Sequence, residues 1–258
     1  MVLLVTQRQR RAVQNLPFCY LCGKDFVAGD ATDKDHVPPK GIFAAKDRDP
    51  LLLKSHKACN EAQTLDDEKI GQLIALRYRK VPKPENRRLQ FALSPYGDAA
   101  VRNLNIEKAV WRWIGGFHAA LYQSSAVGIR GSLVTPFIKA KKVNGGYTIQ
   151  PLRHQHATFV QMIKSNRIRG NLDRIRCNKG KLLYESMWCQ TDNEGPWMCI
   201  FALDIYDWKD LGATQLSPPR GCAGSYVLPS GGVPPNASRG EIASIIIPTS
   251  DPLDPFSR

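Results

Sequence analysis

The sequence predicts an α+β protein, and three observations carry that prediction. Two Cys/His pairs near the N-terminus enclose a short polar loop, and one segment around residues 106–122 repeats its apolar side chains at helical spacing. The second half then alternates extended apolar runs with Gly- and Asn-rich turns. With 43% apolar and 23% charged residues, the 258-residue chain has an ordinary globular composition and enough length for one large domain or two small ones. It has no apolar run approaching the roughly 18 residues of a membrane span. Met1 to Val5 is too short for a signal peptide, and Arg8, Arg10 and Arg11 follow it instead of preceding it. The expectation is a soluble, intracellular (cytoplasmic) protein with no membrane partner.

The elements follow in order. A short arm starting a helix, with its basic residues exposed, leads into Phe18-Cys19-Tyr20-Leu21-Cys22-Gly23-Lys24, a knuckle-like turn. From Asn60 to Arg79, Leu65, Ile70, Leu73, Ile74 and Leu76 recur three or four apart, with Asp66, Asp67 and Glu68 early and Arg77 and Arg79 late. That polarity suits a helix dipole, and Pro82 and Pro84 end the segment. Ile106 to Tyr122 predicts a second helix, in which Gly115-Gly116 marks close packing. Ser132–Lys139 and Tyr147–Leu152 flank Asn144-Gly145-Gly146 as a hairpin. Leu182–Gln190 and Trp197–Tyr206 flank Asp192-Asn193-Glu194-Gly195 as another. His156 to Ile175 reads as a basic helix. From Ser217 onward Pro, Gly and Ser accumulate, which predicts an extended tail with one strand at Glu241–Ile247. The division expected is therefore 1–80, 81–216 and 217–258.

Charge is unevenly spread. Residues 1–80 carry 14 Lys+Arg against 10 Asp+Glu, residues 81–182 carry 18 against 4, and residues 183–258 carry 4 against 9. A middle segment of +14 suits a run of phosphates, whose neutralisation releases counterions; a solvated surface is the plainer alternative.

Of the seven cysteines, Cys177, Cys189, Cys199 and Cys222 lie far apart with no regular framework, which predicts free thiols. Cys19 and Cys22 differ: after 33 intervening residues come His56 and Cys59. Two pairs at two-residue spacing supply the four ligands that tetrahedral Zn²⁺ takes, and a closed four-ligand site is structural. It would staple the intervening loop to the following helix, folding energy that a short polar segment cannot draw from core burial. In that loop stands Asp33-Lys34-Asp35-His36-Val37-Pro38-Pro39-Lys40. A carboxylate and an imidazole are the minimum set for metal-assisted phosphodiester hydrolysis. Asp35 and His36 would face opposite sides of a regular strand; a strand end distorted by the prolines would let both meet one site.

These residues resemble the HNH endonuclease family. The resemblance runs from Cys19 to Ile70 through Cys-x-x-Cys-Gly, Asp-His-Val-Pro-Pro-Lys, His-x-x-Cys-Asn-Glu and Asp66-Asp67-Glu68. It implies a zinc-braced, treble-clef-like ββα-metal unit. In it His36 is the general base, Asp35 and Asn60 are ligands of a catalytic Mg²⁺ or Mn²⁺, and Cys19, Cys22, His56 and Cys59 hold structural Zn²⁺. The family's central Asn, which orients the histidine, falls near Asp49 here, and His56 stands where a cysteine is more frequent. The function implied is metal-dependent endonuclease action on DNA or RNA held by residues 81–182. The alternative is an inactive zinc-stabilised protein that binds nucleic acid or docks a protein partner. His154-x-His156 lacks a third ligand, the five tryptophans read as core, and Asp66, Asp67 and Glu68 read as helix N-terminal charges.

Overall fold

Thr6 caps the first helix by accepting from the Gln9 N–H at 3.3 Å, while the Gln9 side chain reaches back to the Thr6 N–H at 2.9 Å. This computed structural model describes residues 1–77, 88–93, 99–101, 104–134, 140–143, 146–149, 162–163, 172–190, 196–205 and 221–228. In chain order these form β1 (Leu3–Leu4), α1 (Gln7–Ala12), β2 (Thr32–Val37), β3 (Leu51–His56), α2 (Lys57–Glu61) and α3 (Thr64–Arg77). There follow β4 (Phe91–Leu93), β5 (Ala99–Val101), α4 (Ile106–Tyr122), β6 (Arg130–Val134), β7 (Ala140–Val143) and β8 (Gly146–Ile149). Last come β9 (Asp173–Cys177), β10 (Leu182–Gln190), β11 (Trp197–Ile205) and β12 (Gly221–Val227). The architecture is mixed α+β with largely antiparallel sheets. Among the described residues no helix is long and apolar enough to cross a membrane.

The main sheet has six strands in the order β1-β9-β10-β11-β12-β6. All its pairings are antiparallel except β1 on β9, which runs parallel with Leu3 opposite Arg174. Strand alternation gives the sheet two faces. Tyr184, Trp188, Phe201 and Tyr226 meet α4, with the Phe117 and Tyr184 rings 4.7 Å apart, and Met187, Cys189, Ile200 and Ala202 form a second cluster with Ile163 and Leu172. Side chains on both sides of residue 80, from Leu4 and Val37 to Ile114 and Tyr226, share the larger core. The smaller sheets are the hairpins β2–β3, β4–β5 and β7–β8.

Several expectations change. The 60–79 helix is two, α2 and α3, offset at residues 62–63. A hairpin does form in the 132–152 stretch, but its strands are β7 and β8, and Arg130–Val134 instead pairs with β12; Asn144 and Gly145 lie outside the described residues. Residues 173–177 are a strand and not the end of a basic helix, because Ile175 and Cys177 alternate into the core opposite Tyr184 and Leu182. β12 lies within the segment expected to be a loose tail: Cys222, Ala223 and Tyr226 are buried, and Gly224 and Gly131 allow backbones to approach where a Cβ would strike the facing strand. Arg10, expected at the surface, is 2% exposed. It donates to the carbonyls of Val5 (3.1 Å) and Arg176 (2.7 Å) and pairs with Asp49. The 241–247 strand, Trp208, His154 and His156 lie outside the described residues.

Two contacts hold the β2–β3 hairpin in place. Gly116 of α4 lets the helix ride directly on the hairpin, since a Cβ there would lie 2.8 Å from Val37 Cγ1 and 3.1 Å from Tyr20 Cε2. Gly71 of α3 does the same against Gly41, in the 3₁₀ turn (Lys40–Ile42) that follows the prolines.

Candidate functional site: a Cys/His cluster beside an acidic strand

The first ligand pair sits in a tight turn. The Cys19 N–H donates to Lys24 O (2.8 Å), the Gly23 N–H donates to Cys19 O (2.7 Å), and Gly23 takes φ +76°, a conformation that costs glycine little. The second pair comes from the end of β3 and the first turn of α2, and pairing of Thr32 with His56 brings the two ends together. The ligand atoms of Cys19, Cys22, His56 and Cys59 all lie within 4.8 Å of one another. A tetrahedral zinc with Zn–S bonds of ~2.3 Å needs ligand separations of about 3.8 Å. Cys22 Sγ to His56 Nδ1 is already 3.4 Å, and the His56 N–H lies 3.4 Å from Cys19 Sγ, so the cluster could hold a metal such as zinc.

The electrostatics agree. Burial, then the neighbouring Cys19 and Cys22, raise the Cys59 thiol to about 11: three thiols this close resist ionising together unless a cation joins them. Burial would raise Cys22 too, but the Lys24 N–H and hydrogen bonds to His56, Cys19 and Cys59 outweigh it and bring it below the usual thiol range. On the far side of the imidazole, His56 Nε2 meets Asp30 Oδ2 at 3.1 Å, and the Val27 N–H holds that oxygen at 2.8 Å. A carboxylate on the second nitrogen fixes the ring and leaves Nδ1 for the metal. No spacing rule in the sequence singles out Asp30.

β2 pairs regularly with β3 through Val37, so the distortion expected before the prolines does not reach residues 35 and 36, and the two side chains take opposite faces. Asp35 is 6% exposed and accepts from Tyr20 Oη at 2.5 Å. Burial raises its pKa, opposed by that hydrogen bond and by the charge of Arg112. Arg112, from α4, pairs with Asp67 at the start of α3. Tyr20, Asp35, Arg112 and Asp67 thus form one polar chain between hairpin and helices. Arg112 stands between Trp111 and Trp113 on a helix with one apolar face, and such a cation needs a carboxylate partner when half-buried.

His36 is half-buried on the other face. Burial first, then the charges of Lys40 and Arg48, lower its pKa against the opposing Asp35 and Asp33. It makes no side-chain hydrogen bond among the described residues. Asn60 reaches Asp33, not Asp35, with Nδ2 to Oδ2 at 3.4 Å. Asn60 thus contacts the hairpin at Asp33, while Asp35 and His36 leave opposite faces of β2. Asp49 is committed elsewhere: its carboxylate pairs with Arg10, its N–H donates to Asn178 Oδ1 (3.1 Å), and its carbonyl accepts from the Asn178 N–H (2.8 Å).

Among known proteins, no family model, curated protein or solved structure matches this chain.

Proposed function

We propose that the protein is a metal-dependent endonuclease of the HNH type, hydrolysing phosphodiester bonds in nucleic acid, DNA in the first instance. The observation that carries this reading is the order hairpin, ligand pair, helix. β2 bears Asp33, Asp35 and His36, β3 ends at His56, and α2 follows at once, carrying Cys59 of the Cys/His cluster and then Asn60. Structural Zn²⁺ in that cluster would lock strand to helix, whose Asn60 contacts Asp33 of β2.

Asp33 and Asp35 share a face of β2 and Asn60 contacts Asp33, so a turn of Asp35 away from Tyr20 would let Asp35 and Asn60 offer Mg²⁺ or Mn²⁺ the hard oxygen donors it takes. Such an ion supplies charge that stabilises the pentacovalent phosphate and the leaving 3′ oxygen. His36 would take the proton from the attacking water. Its lowered pKa keeps the imidazole neutral near pH 7, as a base requires, and Lys40 and Arg48, both exposed beside it, would draw in the phosphate.

A second reading has its own support: Asp35 already accepts from Tyr20 and faces Arg112, which suits an inactive zinc-stabilised protein that binds nucleic acid or a protein partner. One experiment separates the two. The full chain is incubated with supercoiled and linear DNA plus Mg²⁺ or Mn²⁺, beside His36→Ala. Cutting by the wild type and loss of at least about 100-fold in the variant, with zinc content unchanged, is the expected result. Cutting that survives in the variant, or none by the wild type with either ion, overturns the proposal; salt-sensitive binding without cutting favours the second reading.

A further inference from the structure

Beside the Cys/His cluster opens a cleft of about 530 Å³, walled by the knuckle, α2, one face of α4 and the loop after it. That volume lies within the roughly 300–1,000 Å³ of small-ligand sites. α4 contributes Lys108, Trp111, Arg112 and Gly115, positions i, i+3, i+4 and i+7, which share one stripe of the helix.

The two glycines of α4 do different things. Gly116 is required by packing against Val37 and Tyr20. Gly115 is not, because a Cβ added there meets nothing within 4 Å. A mid-helix glycine costs about 1 kcal/mol against alanine, so its presence at an unpacked position keeps the floor of the cleft bare.

The rest of the lining has a definite chemistry. Lys108 is exposed and forms no ion pair among the described residues. Arg112 gives Nη2 to Asp67, but its Nη1 is buried with no hydrogen-bond partner among the described residues. Trp111 is half-buried, its ring edge-on to Phe201 at 5.9 Å and Tyr226 at 6.4 Å, and it also lines the cleft. On the opposite wall Val127 is 45% exposed. An exposed cation at Lys108, a half-buried indole one turn on at Trp111 and the apolar residues of the loop after α4 suit a flat ring carrying a phosphate.

We propose that this cleft binds one nucleotide unit, its phosphate on Lys108, with the charge of Arg112 behind it, and its base against Trp111. The inference rests on the nuclease reading for its choice of ligand, and it adds where one nucleotide would seat. The shared chemistry has two sources, a free nucleotide or a unit within a strand.

The test is equilibrium binding by calorimetry and tryptophan fluorescence, with Mg²⁺ and Mn²⁺ left out. The probes are adenosine 5′-monophosphate and a single-stranded octanucleotide; the proteins are the full chain, Gly115→Trp, Gly115→Ala and Lys108→Glu. Filling the cleft with Gly115→Trp should weaken binding at least about tenfold, while Gly115→Ala, which leaves most of the space, binds like wild type. Lys108→Glu, at an exposed position where folding is safe, should weaken binding several-fold. Weakening of both probes identifies a site for any nucleotide; weakening of the octanucleotide alone identifies a site for a unit within a strand. If wild type binds neither probe, or if Gly115→Trp and Lys108→Glu bind both as wild type does, the proposal is overturned. Plasmid cutting is scored separately, so a protein that cuts DNA with an idle cleft refutes only this inference. One that binds in the cleft and never cuts refutes only the nuclease reading.

Discussion

Asp30 offers a sharp test of the metal centre, because it touches the cluster without being a ligand. Its Oδ2 lies 3.1 Å from His56 Nε2 and is itself held by the Val27 N–H at 2.8 Å, so the carboxylate fixes both tautomer and tilt of the ring. The opposite ring atom, Nδ1, stands 3.4 Å from Cys22 Sγ, within a few tenths of an ångström of the separation two zinc ligands adopt. Asp30→Ala keeps all four ligands and removes only this orientation. The expected loss of zinc affinity is about 10- to 100-fold, with one zinc per chain retained at saturating metal. Asp30→Asn, which keeps an oxygen acceptor without its charge, should fall between wild type and Asp30→Ala. Cys59→Ser removes a thiolate and should lose more affinity than either. Competition against a chromogenic chelator of known zinc affinity measures each variant, and far-UV circular dichroism checks its fold. An Asp30→Ala protein that holds zinc within a factor of about two of wild type would falsify the assignment of Asp30 as the group that orients His56.

Two further predictions concern the core. Burial lowers the His118 pKa to about 3, and its ring nitrogens meet Tyr226 Oη at 2.8 Å and Ser124 Oγ at 3.0 Å. Between about pH 6.5 and 3 the unfolded chain therefore binds more protons than the folded one. The stability tied to neutral His118 is complete above pH 6.5 and drains away as pH falls toward 3. Urea unfolding should show wild type losing about 2–3 kcal/mol more than His118→Gln between pH 7 and 4.5, and equal losses would count against a neutral buried imidazole. Arg10→Ala leaves Asp49 without its counter-charge and two carbonyls without a donor. A cost of about 2–3 kcal/mol in urea unfolding is expected, below that of a fully buried pair because Asp49 is 32% exposed. No measurable change would show the pair to be energetically idle.

The parts of the molecule legible in the sequence are those whose signals are local. The helix at 106–122 announces itself through apolar residues on one stripe, and the 182–205 hairpin through two apolar runs of matched length. The two ligand pairs are legible for the same reason, since a two-residue spacing bites a metal from a single turn. Where a segment's state depends on distant partners, local signals mislead. Asp173–Cys177 is dense in arginine and reads as helix, yet it is a strand because β1 and β10 flank it. Gly221–Val227 reads as tail, yet its Gly224 is what lets β11 and β6 close on it. Arg10 reads as surface, yet its partners lie at residues 49 and 176.

By itself the sequence determined the α+β class, the Cys19, Cys22, His56 and Cys59 cluster, and the presence of a carboxylate and an imidazole inside the loop that cluster encloses. Only the tertiary structure decided which way those side chains point and what they meet. It turned Asp35 inward to Tyr20 and Arg112 and left His36 outward beside Lys40 and Arg48. It also gave His56 its Asp30 and took Asp49 away to Arg10. The physical reason is that metal ligation and helical or strand periodicity are set by neighbours a few residues apart. The partner of a buried charge is chosen by burial, which brings together residues from anywhere along the chain.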